Sequence, residues 1–265
     1  REHKVPDDFM LRIVAMGNSF RMGAIPKDYG GDDEGIGETR DKKGAKQANR
    51  VAAIGAEELS WGDAAVLMNL PGPGLGGPPL RVMGTAEQQK HFFGKLTEPG
   101  LHYGAYGLTE PGAGSDVAGI ATACKKDGKA WVLNGTKCFI TNGAKADWTV
   151  IFATTDKTLG RAGHRAFVVE KGTPGFRVGK IEEKMGLRAS ETVELILEDV
   201  RVPEENLLGG EERYGRSEGF VTAMKTFDSS RPMVGAMAIG IGRAFLFAGQ
   251  VGARLQAAVQ VGPGH

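Results

Sequence analysis

Two stretches of this 265-residue chain carry side chains of the right type and spacing to hold a flat ring or a phosphate. The first is Tyr106-Gly107-Leu108-Thr109-Glu110-Pro111-Gly112-Ala113-Gly114-Ser115-Asp116, where a strand-like run passes into a glycine-rich loop. Gly112 and Gly114 let backbone approach a ligand closely, and the Thr109 and Ser115 hydroxyls offer neutral hydrogen bonds to a polar ring edge or phosphate. It is neither a P-loop nor a Rossmann fingerprint, because the lysine and the βαβ context are absent. On spacing alone an ordinary strand-end turn explains it as well. The second stretch is Lys137-Cys138-Phe139-Ile140-Thr141-Asn142-Gly143. Phe139 and Thr141 stand two apart, so in a strand they share one face that could cover a ring such as a flavin and bond its edge. A half-buried strand without a ligand is the competing reading.

The elements that must position these residues follow from periodicity. Residues 7–22 place Phe9, Ile13, Met16 and Phe20 at helical spacing after Pro6, with Asp7 or Asp8 as cap. A polar loop is expected from Asp32 to Lys46, then a helix from Gln47 to Trp61 with Val51, Ile54 and Leu59 apolar and Glu57 and Glu58 toward water. Pro71 to Pro79 reads as loop, because proline removes donors and glycine adds chain entropy. Thr85 caps a further helix that runs to about Leu96. Short strands are then expected at Leu101–Leu108, Ile120–Cys124, Ala130–Leu133, Lys137–Thr141, Thr149–Thr154, Ala166–Glu170 and Val193–Leu197, with turns at Lys126-Asp127-Gly128 and Asn134-Gly135. After Pro203 the apolar spacing of Phe220, Met224, Phe227, Val234, Met237, Ile241 and Phe245 predicts one long helix carrying Pro232. The fold class expected is α+β multidomain: an α-helical domain over 1–100, a β-barrel or sandwich over 101–205, and over 206–265 the first helix of an incomplete helical bundle. That apolar helix needs a partner or further chain to pack on.

Composition excludes several function classes. Lysine and arginine total 33 against 32 acidic residues, so a formal charge of +1 provides no field for nucleic acid or an anionic membrane. The five histidines are scattered and predict no metal site. Cys124 and Cys138 are the only cysteines and read as reduced core thiols, which points to the cytoplasm, with the mitochondrial matrix as alternative because a removed transit peptide leaves no trace. No apolar run approaches the roughly 20 residues of a membrane helix, since Ala236–Gly249 is interrupted by Arg243. Glycine is in excess at 41 residues, so many loops must bring backbone close to something.

The order of the two stretches resembles the signature of the acyl-CoA dehydrogenase family. The resemblance extends to Lys184-Met185-Gly186-Leu187-Arg188-Ala189-Ser190-Glu191-Thr192, to Leu197–Pro203, and to Phe227-Asp228-Ser229-Ser230-Arg231-Pro232. It implies FAD as cofactor, lined by Tyr106, Leu108, Thr109, Gly114 and Ser115. Phe139 and Ile140 would cover the flavin and Thr141 would bond near N5. Acyl-CoA would be contacted by Ser115, Ser190, Asp228 and Arg231, the last two lying three apart on one helix face. A surface ion pair is the bland account of those two.

The activity implied is α,β-dehydrogenation of an acyl-CoA thioester, with proton loss at Cα and hydride transfer from Cβ to flavin N5. The partners implied are an electron-transfer flavoprotein as electron acceptor and further copies in a homotetramer. That chemistry needs a carboxylate base. In a subgroup of the family it immediately precedes the arginine of the last motif, where this sequence has Ser230, and in most members it lies later than residue 265. The catalytic residue is therefore expected outside this chain. The alternatives are a truncated paralogue that binds acyl-CoA or flavin without turnover, and a flavin monooxygenase or acyl-CoA oxidase on the same scaffold.

Overall fold

Helices come first, a sheet second, and a single long helix last. The computed structural model describes the backbone of residues 5–15, 42–214 and 218–260 and the side chains of residues 5–12, 50, 52–214 and 231–253. The helices are α1 (Asp7–Ala15), α2 (Lys42–Met68), α3 (Gly77–Met83), α4 (Ala86–Lys95) and α5 (Glu218–Gln260). The strands are β1 (Gly104–Gly107), β2 (Ala123–Asp127), β3 (Ala130–Thr141), β4 (Trp148–Thr154), β5 (His164–Glu170), β6 (Phe176–Ile181) and β7 (Thr192–Pro203).

Local chemistry explains where two helical runs begin. Thr85 accepts from the Gln88 amide while the Gln88 side chain accepts from the Thr85 amide, the reciprocal cap expected from the sequence. Gln88 does more than cap. Its Nε2 donates to Glu205 O at 2.6 Å and Leu207 O at 2.8 Å, and its Oε1 also accepts from Gly209 N at 3.0 Å. One buried amide thus ties α4 to the segment after β7. Asp63 interrupts α2 with φ −157°, and its carboxylate accepts from Ala65 N to start the final turns.

Several expectations need correction. The run from Pro71 to Pro79 is not all loop, because α3 begins at Gly77 with Pro78 and Pro79 in its first turn, where the missing N–H has no helical partner anyway. Helix α2 starts at Lys42, before the expected Gln47. Ile54 on that helix is exposed, and the buried positions described are Gly55, Ala56, Ser60, Ala64, Ala65 and Leu67, all but the last small. In α1 it is Met10 that is buried while Phe9 is exposed. The predicted continuation of α1 over 16–22, including Met16 and Phe20, and the loop over 32–41 lie outside the described residues, as does the side chain of Ile13. Asn134-Gly135 is no turn: β3 runs unbroken through it from Ala130 to Thr141, and Gly135, at φ 154°, packs against Thr122. β6 was not anticipated, since its exposed Arg177 and Lys180 obscure the alternation.

The sheet is mixed and curls on itself. β4 pairs in parallel with β1 and, at Ala123, with β2, and antiparallel with β5 along its other edge. β2, β3, β7 and β6 continue as antiparallel neighbours. The chain after β7 meets the free edge of β5 through a bridge between Phe167 and Leu207. Inside the curl lie Leu133, Val150, Phe152, Val168, Val193 and Leu195, all essentially sealed from water. Trp148 joins this core to the helical layer, its indole donating to Phe92 O of α4 at 2.9 Å.

Helix α5 lies on α2. Gly240 is the point of closest approach: a Cβ there would overlap the Glu57 carbonyl. Next to it Arg243 pairs with Glu57 and Glu58, and Phe247 meets Trp61 with ring centroids 5.7 Å apart. The two glutamates expected to face water are therefore engaged. Arg231–Ala253, 23 residues with mean hydropathy 1.5, is long and apolar enough by length and composition to cross a membrane, which corrects the expectation that no segment is. In the structure part of its surface instead covers α2, while Phe245, Leu246 and Ile239 remain exposed.

Gly240→Ala is expected to lower the unfolding free energy by about 1–3 kcal/mol through overpacking, against a helix-propensity gain of about 1 kcal/mol. Chemical denaturation followed by Trp fluorescence measures it. An unchanged or raised midpoint would show that α2 and α5 do not meet there.

Candidate functional site

The two chemistry-bearing stretches meet because of a buried ion pair. Lys137 on β3 is 0% exposed, and its ammonium lies 2.6 Å from Glu110 Oε1 and donates to Leu108 O at 3.1 Å. The Glu110 carboxylate also accepts from Ala121 N at 2.5 Å and Thr122 N at 2.9 Å. In addition the Cys138 amide donates to Thr109 O at 2.9 Å. Loop 108–122 is thereby fastened to the middle of β3 by charge and backbone together.

Burial would raise the Glu110 carboxyl, but Lys137 and the surrounding donors hold it below the usual carboxylate range. Burial pulls Lys137 down to about 8 against the attraction of Glu110. Both remain charged at neutral pH. Because the folded-state value of Glu110 is depressed, its stabilising contribution is complete above the unfolded carboxylate value of about 4.3 and is lost as pH falls through the lower folded value.

The pair was legible only in part. Trp131, Leu133 and Lys137 have the same parity along β3, so strict alternation puts the lysine inside with the apolar residues and demands an anion for it. Glu110 is that anion, and nothing local marks it.

Beyond Lys137 the parity changes. Lys137 pairs with Leu195 but Ile140 pairs with Val193, so β3 carries one extra residue, a bulge at Cys138–Phe139. Phe139 takes φ 60°, a left-handed conformation that costs a non-glycine residue about 1–2 kcal/mol. The consequence is direct: without the extra residue Phe139 would point inward with Lys137, and with it the ring is turned out and 63% exposed. Thr141, two residues on, is half-buried, while Ile140 is packed in the core. The bulge therefore delivers the aromatic and the hydroxyl to the outer side by a route the simple strand reading did not contain.

The remaining sequence-derived residues are placed as follows. Thr109 and Tyr106 are half-buried, and the Tyr106 ring stacks edge-on against Phe152 at 5.5 Å. Burial raises the Tyr106 phenol well above its ordinary value, so it stays neutral. Leu108 is buried, and only its carbonyl takes part in the cluster described. Gly114 and Ser115 lie on the exposed loop, and a side chain at Gly112 or Gly114 would meet nothing. A half-open cleft of about 260 Å³ beside the loop is lined by Glu110, Pro111, Gly112, Thr122, Gly135 and Thr136 among others.

Ser190 sits between β6 and β7, and its hydroxyl, on a residue 1% exposed, has no partner among the described residues. The same holds for Asn142 Oδ1. The two are linked to each other and to α2. Asn142 N donates to Glu191 O and Asn142 Nδ2 to Met68 O at 3.0 Å, while Asn69 Nδ2 donates to Ala189 O at 2.5 Å and Lys145 to Asn69 Oδ1 at 3.0 Å. Lys184 clamps the loop by donating to Ser190 O and Thr192 Oγ1. Asn69 and Lys145 read in sequence as ordinary polar residues, and Asn142 and Lys184 stand within the quoted stretches without a role assigned to them. Arg231 lies exposed on α5, and the side chain of Asp228 lies outside the described residues.

An aromatic held out of the core at a backbone cost, with half-buried threonines on the same strand and on the loop fastened to it, fits a planar ring with a polar edge, as a flavin has. Two unsatisfied buried oxygens at the α2 junction fit a polar chain bearing amides or carbonyls.

Comparison with known proteins gives this arrangement a context. Residues 105–200 match the family model of the acyl-CoA dehydrogenase middle domain. A short-chain-specific acyl-CoA dehydrogenase of Clostridium acetobutylicum is 49% identical over 236 residues, covering 88% of this chain and 57% of that protein. The structure of butyryl-CoA dehydrogenase from Megasphaera elsdenii superposes with a TM-score of 0.75 at 38% identity, covering 91% of this chain and 59% of that one. A structure reported for the electron transferring flavoprotein of Acidaminococcus fermentans gives the same TM-score and identity over 91% of this chain and 58% of that one. The chain spans about half the length of the curated relatives it matches.

Two outcomes are expected from the site geometry. Lys137→Met strands the Glu110 carboxylate and should cost about 3–5 kcal/mol at neutral pH, a deficit that narrows toward acid as the stranded carboxylate takes up a proton; urea titrations at neutral and acid pH measure it. Phe139→Gly removes an exposed ring and a strained conformation, so despite the glycine entropy cost of about 0.5–1 kcal/mol its melting temperature should stay level or rise. A clear fall would mean the ring packs inside.

Proposed function

From the premise that the chain belongs to the acyl-CoA dehydrogenase family, we propose that it serves the FAD-dependent α,β-dehydrogenation of a short acyl-CoA thioester. The single observation that carries the reading is the outward-facing Phe139 at its bulge, joined through Cys138 to Thr109 of the glycine-rich loop. The names of the relatives support a short acyl chain.

In this reading a bound flavin supplies the acceptor for the hydride leaving Cβ. The chain's own residues bind and orient. Phe139 covers one face of the ring, Thr141 and Thr109 bond its polar edge, and Gly112 and Gly114 let the loop backbone approach the phosphates beside Ser115. Ser190 and Asn142 satisfy their open hydrogen-bonding capacity on the carrier chain of the thioester, with Asp228 and Arg231 contributing from α5. Removal of the proton at Cα falls to a carboxylate that we place outside these residues, because Ser230 cannot act as a base without an activating partner.

We assign the division at 1–100, 101–205 and 206–265 to a helical, a β and a second helical domain. An electron-transfer flavoprotein is the proposed electron acceptor, supported by the likeness to the Acidaminococcus fermentans structure, and a homotetramer is the proposed assembly. Two free, buried cysteines support a reducing setting, the cytoplasm first and the mitochondrial matrix second.

The test is anaerobic addition of a series of acyl-CoAs to the flavin-loaded protein, following the oxidised flavin band near about 450 nm. Bleaching by butyryl-CoA ahead of longer chains is expected. Thr141→Ala should weaken flavin retention about fivefold, the equivalent of one lost hydrogen bond of about 1 kcal/mol. A protein that takes up no flavin defeats the proposal. One whose bound flavin no acyl-CoA reduces is a binding module, and one whose reduced flavin consumes oxygen rapidly is an oxidase.

A further inference from the structure

The buried pair sits behind the proposed flavin edge, not within it, and its bonding pattern is unusually directional. The Lys137 ammonium donates to the carbonyl of Leu108, which belongs to the same peptide unit as the Thr109 N–H. Thr109's own carbonyl accepts from Cys138 N. Both peptide units flanking Thr109 are thus fixed from the β3 side, and the Thr109 N–H has no acceptor among the described residues. A carbonyl that accepts a charge-assisted hydrogen bond polarises its peptide, so the N–H at the other end becomes a stronger donor. At the charged end, where the Lys137 and Glu110 side chains are 0% and 5% exposed, the effect is little screened by water.

Glu110 makes the arrangement possible. A lone ammonium at 0% exposure would shed its proton or draw in water; the carboxylate at 2.6 Å holds it charged and in place. The Glu110 carboxylate is held in turn by Ala121 N and Thr122 N, and Thr122 N–H and Ala121 N–H are then unavailable to any other acceptor. The charge pair is therefore aimed by four fixed contacts at one peptide.

Resting on the flavin reading above, we propose that Glu110 and Lys137 form a positioning pair that presses the Leu108–Thr109 peptide toward the flavin edge as a polarised donor and so favours the electron-rich, reduced ring. Neither residue touches the ring in this assignment. They act through Thr109.

The test compares the wild-type chain with two variants. Glu110→Gln/Lys137→Met removes both charges, nearly keeps the volume, and leaves one amide oxygen that accepts from either Ala121 N or Thr122 N, which bond different carboxylate oxygens in the parent. Lys137→Arg keeps the cation. Three quantities are read on each: melting temperature, the dissociation constant for FAD from fluorescence quenching, and the reduction potential of the bound flavin by dye equilibration. The neutral double variant is expected to melt close to wild type, to bind FAD several-fold more weakly, and to show a more negative flavin potential. Lys137→Arg is expected to restore the potential to near the wild-type value. A folded double variant with unchanged affinity and potential would overturn the proposal and leave the pair a packing feature. So would a folded Lys137→Arg protein whose potential falls as far as that of the double variant, because charge would then be irrelevant. Wild-type protein that binds no FAD would instead refute the flavin reading itself, an outcome visible before any variant is made.

Discussion

A lysine and a glutamate, both shut away from water, hold this structure's two informative segments together. The Lys137–Glu110 pair is costly to bury, and burial of such a pair is by itself weak evidence for stability, since apolar residues of equal volume often do as well. Its value lies in direction. A hydrophobic substitute could fill the space but could not fix the carbonyl of Leu108, the amides of Ala121 and Thr122, and the strand at residue 137 relative to one another. The loop carrying Gly112 and Gly114 is held by this anchor together with Ala113 and Ile120, which are buried in the core.

The second constraint is a count of residues. One extra residue in β3 between Lys137 and Ile140 changes which side chains face the core, and a matching irregularity falls near Asp199 on β7, also at positive φ. Between these two points the strands keep register, so the strain is local. Phe139 and Asn142 adopt left-handed conformations within four residues of each other, at the end of the strand where the loop, the α2 terminus and the 187–191 segment converge. Strain and unsatisfied polar atoms gathered in one place are a mark of a site shaped for something besides folding.

The helical layer supports that place from behind. Asn69 and Met68, the end of α2 and the residue after it, bond directly to the segments holding Ser190 and Asn142. Trp148 fastens α4 to the sheet, and Gln88 ties it to the segment after β7. Helix α5 touches α2 through Gly240 and Arg243 and leaves Phe245 and Leu246 outward. The α2–α5 contact therefore combines small residues that let the backbones approach at Gly240 with a cluster of larger apolar side chains, Leu67, Met233 and Met237 among them, and at Gly240 it is sensitive to any added side-chain volume.

Much was legible in the chain itself. The order helices, strands, helix followed from periodicity and the Thr85 cap from four residues, because each depends on neighbours within a few positions. What depended on distant chain could not be read. Glu110 as the partner of Lys137, Asn69 as the partner of Ala189, and Gly240 as the seat of Glu57 are all contacts between residues far apart in sequence. The bulge at Phe139 belongs to this second class as well. An extra residue in a strand is defined only against the strand it pairs with, so the sequence by itself determined that an aromatic stands two before a threonine, and only the pairing of β3 with β7 decided that the aromatic faces out.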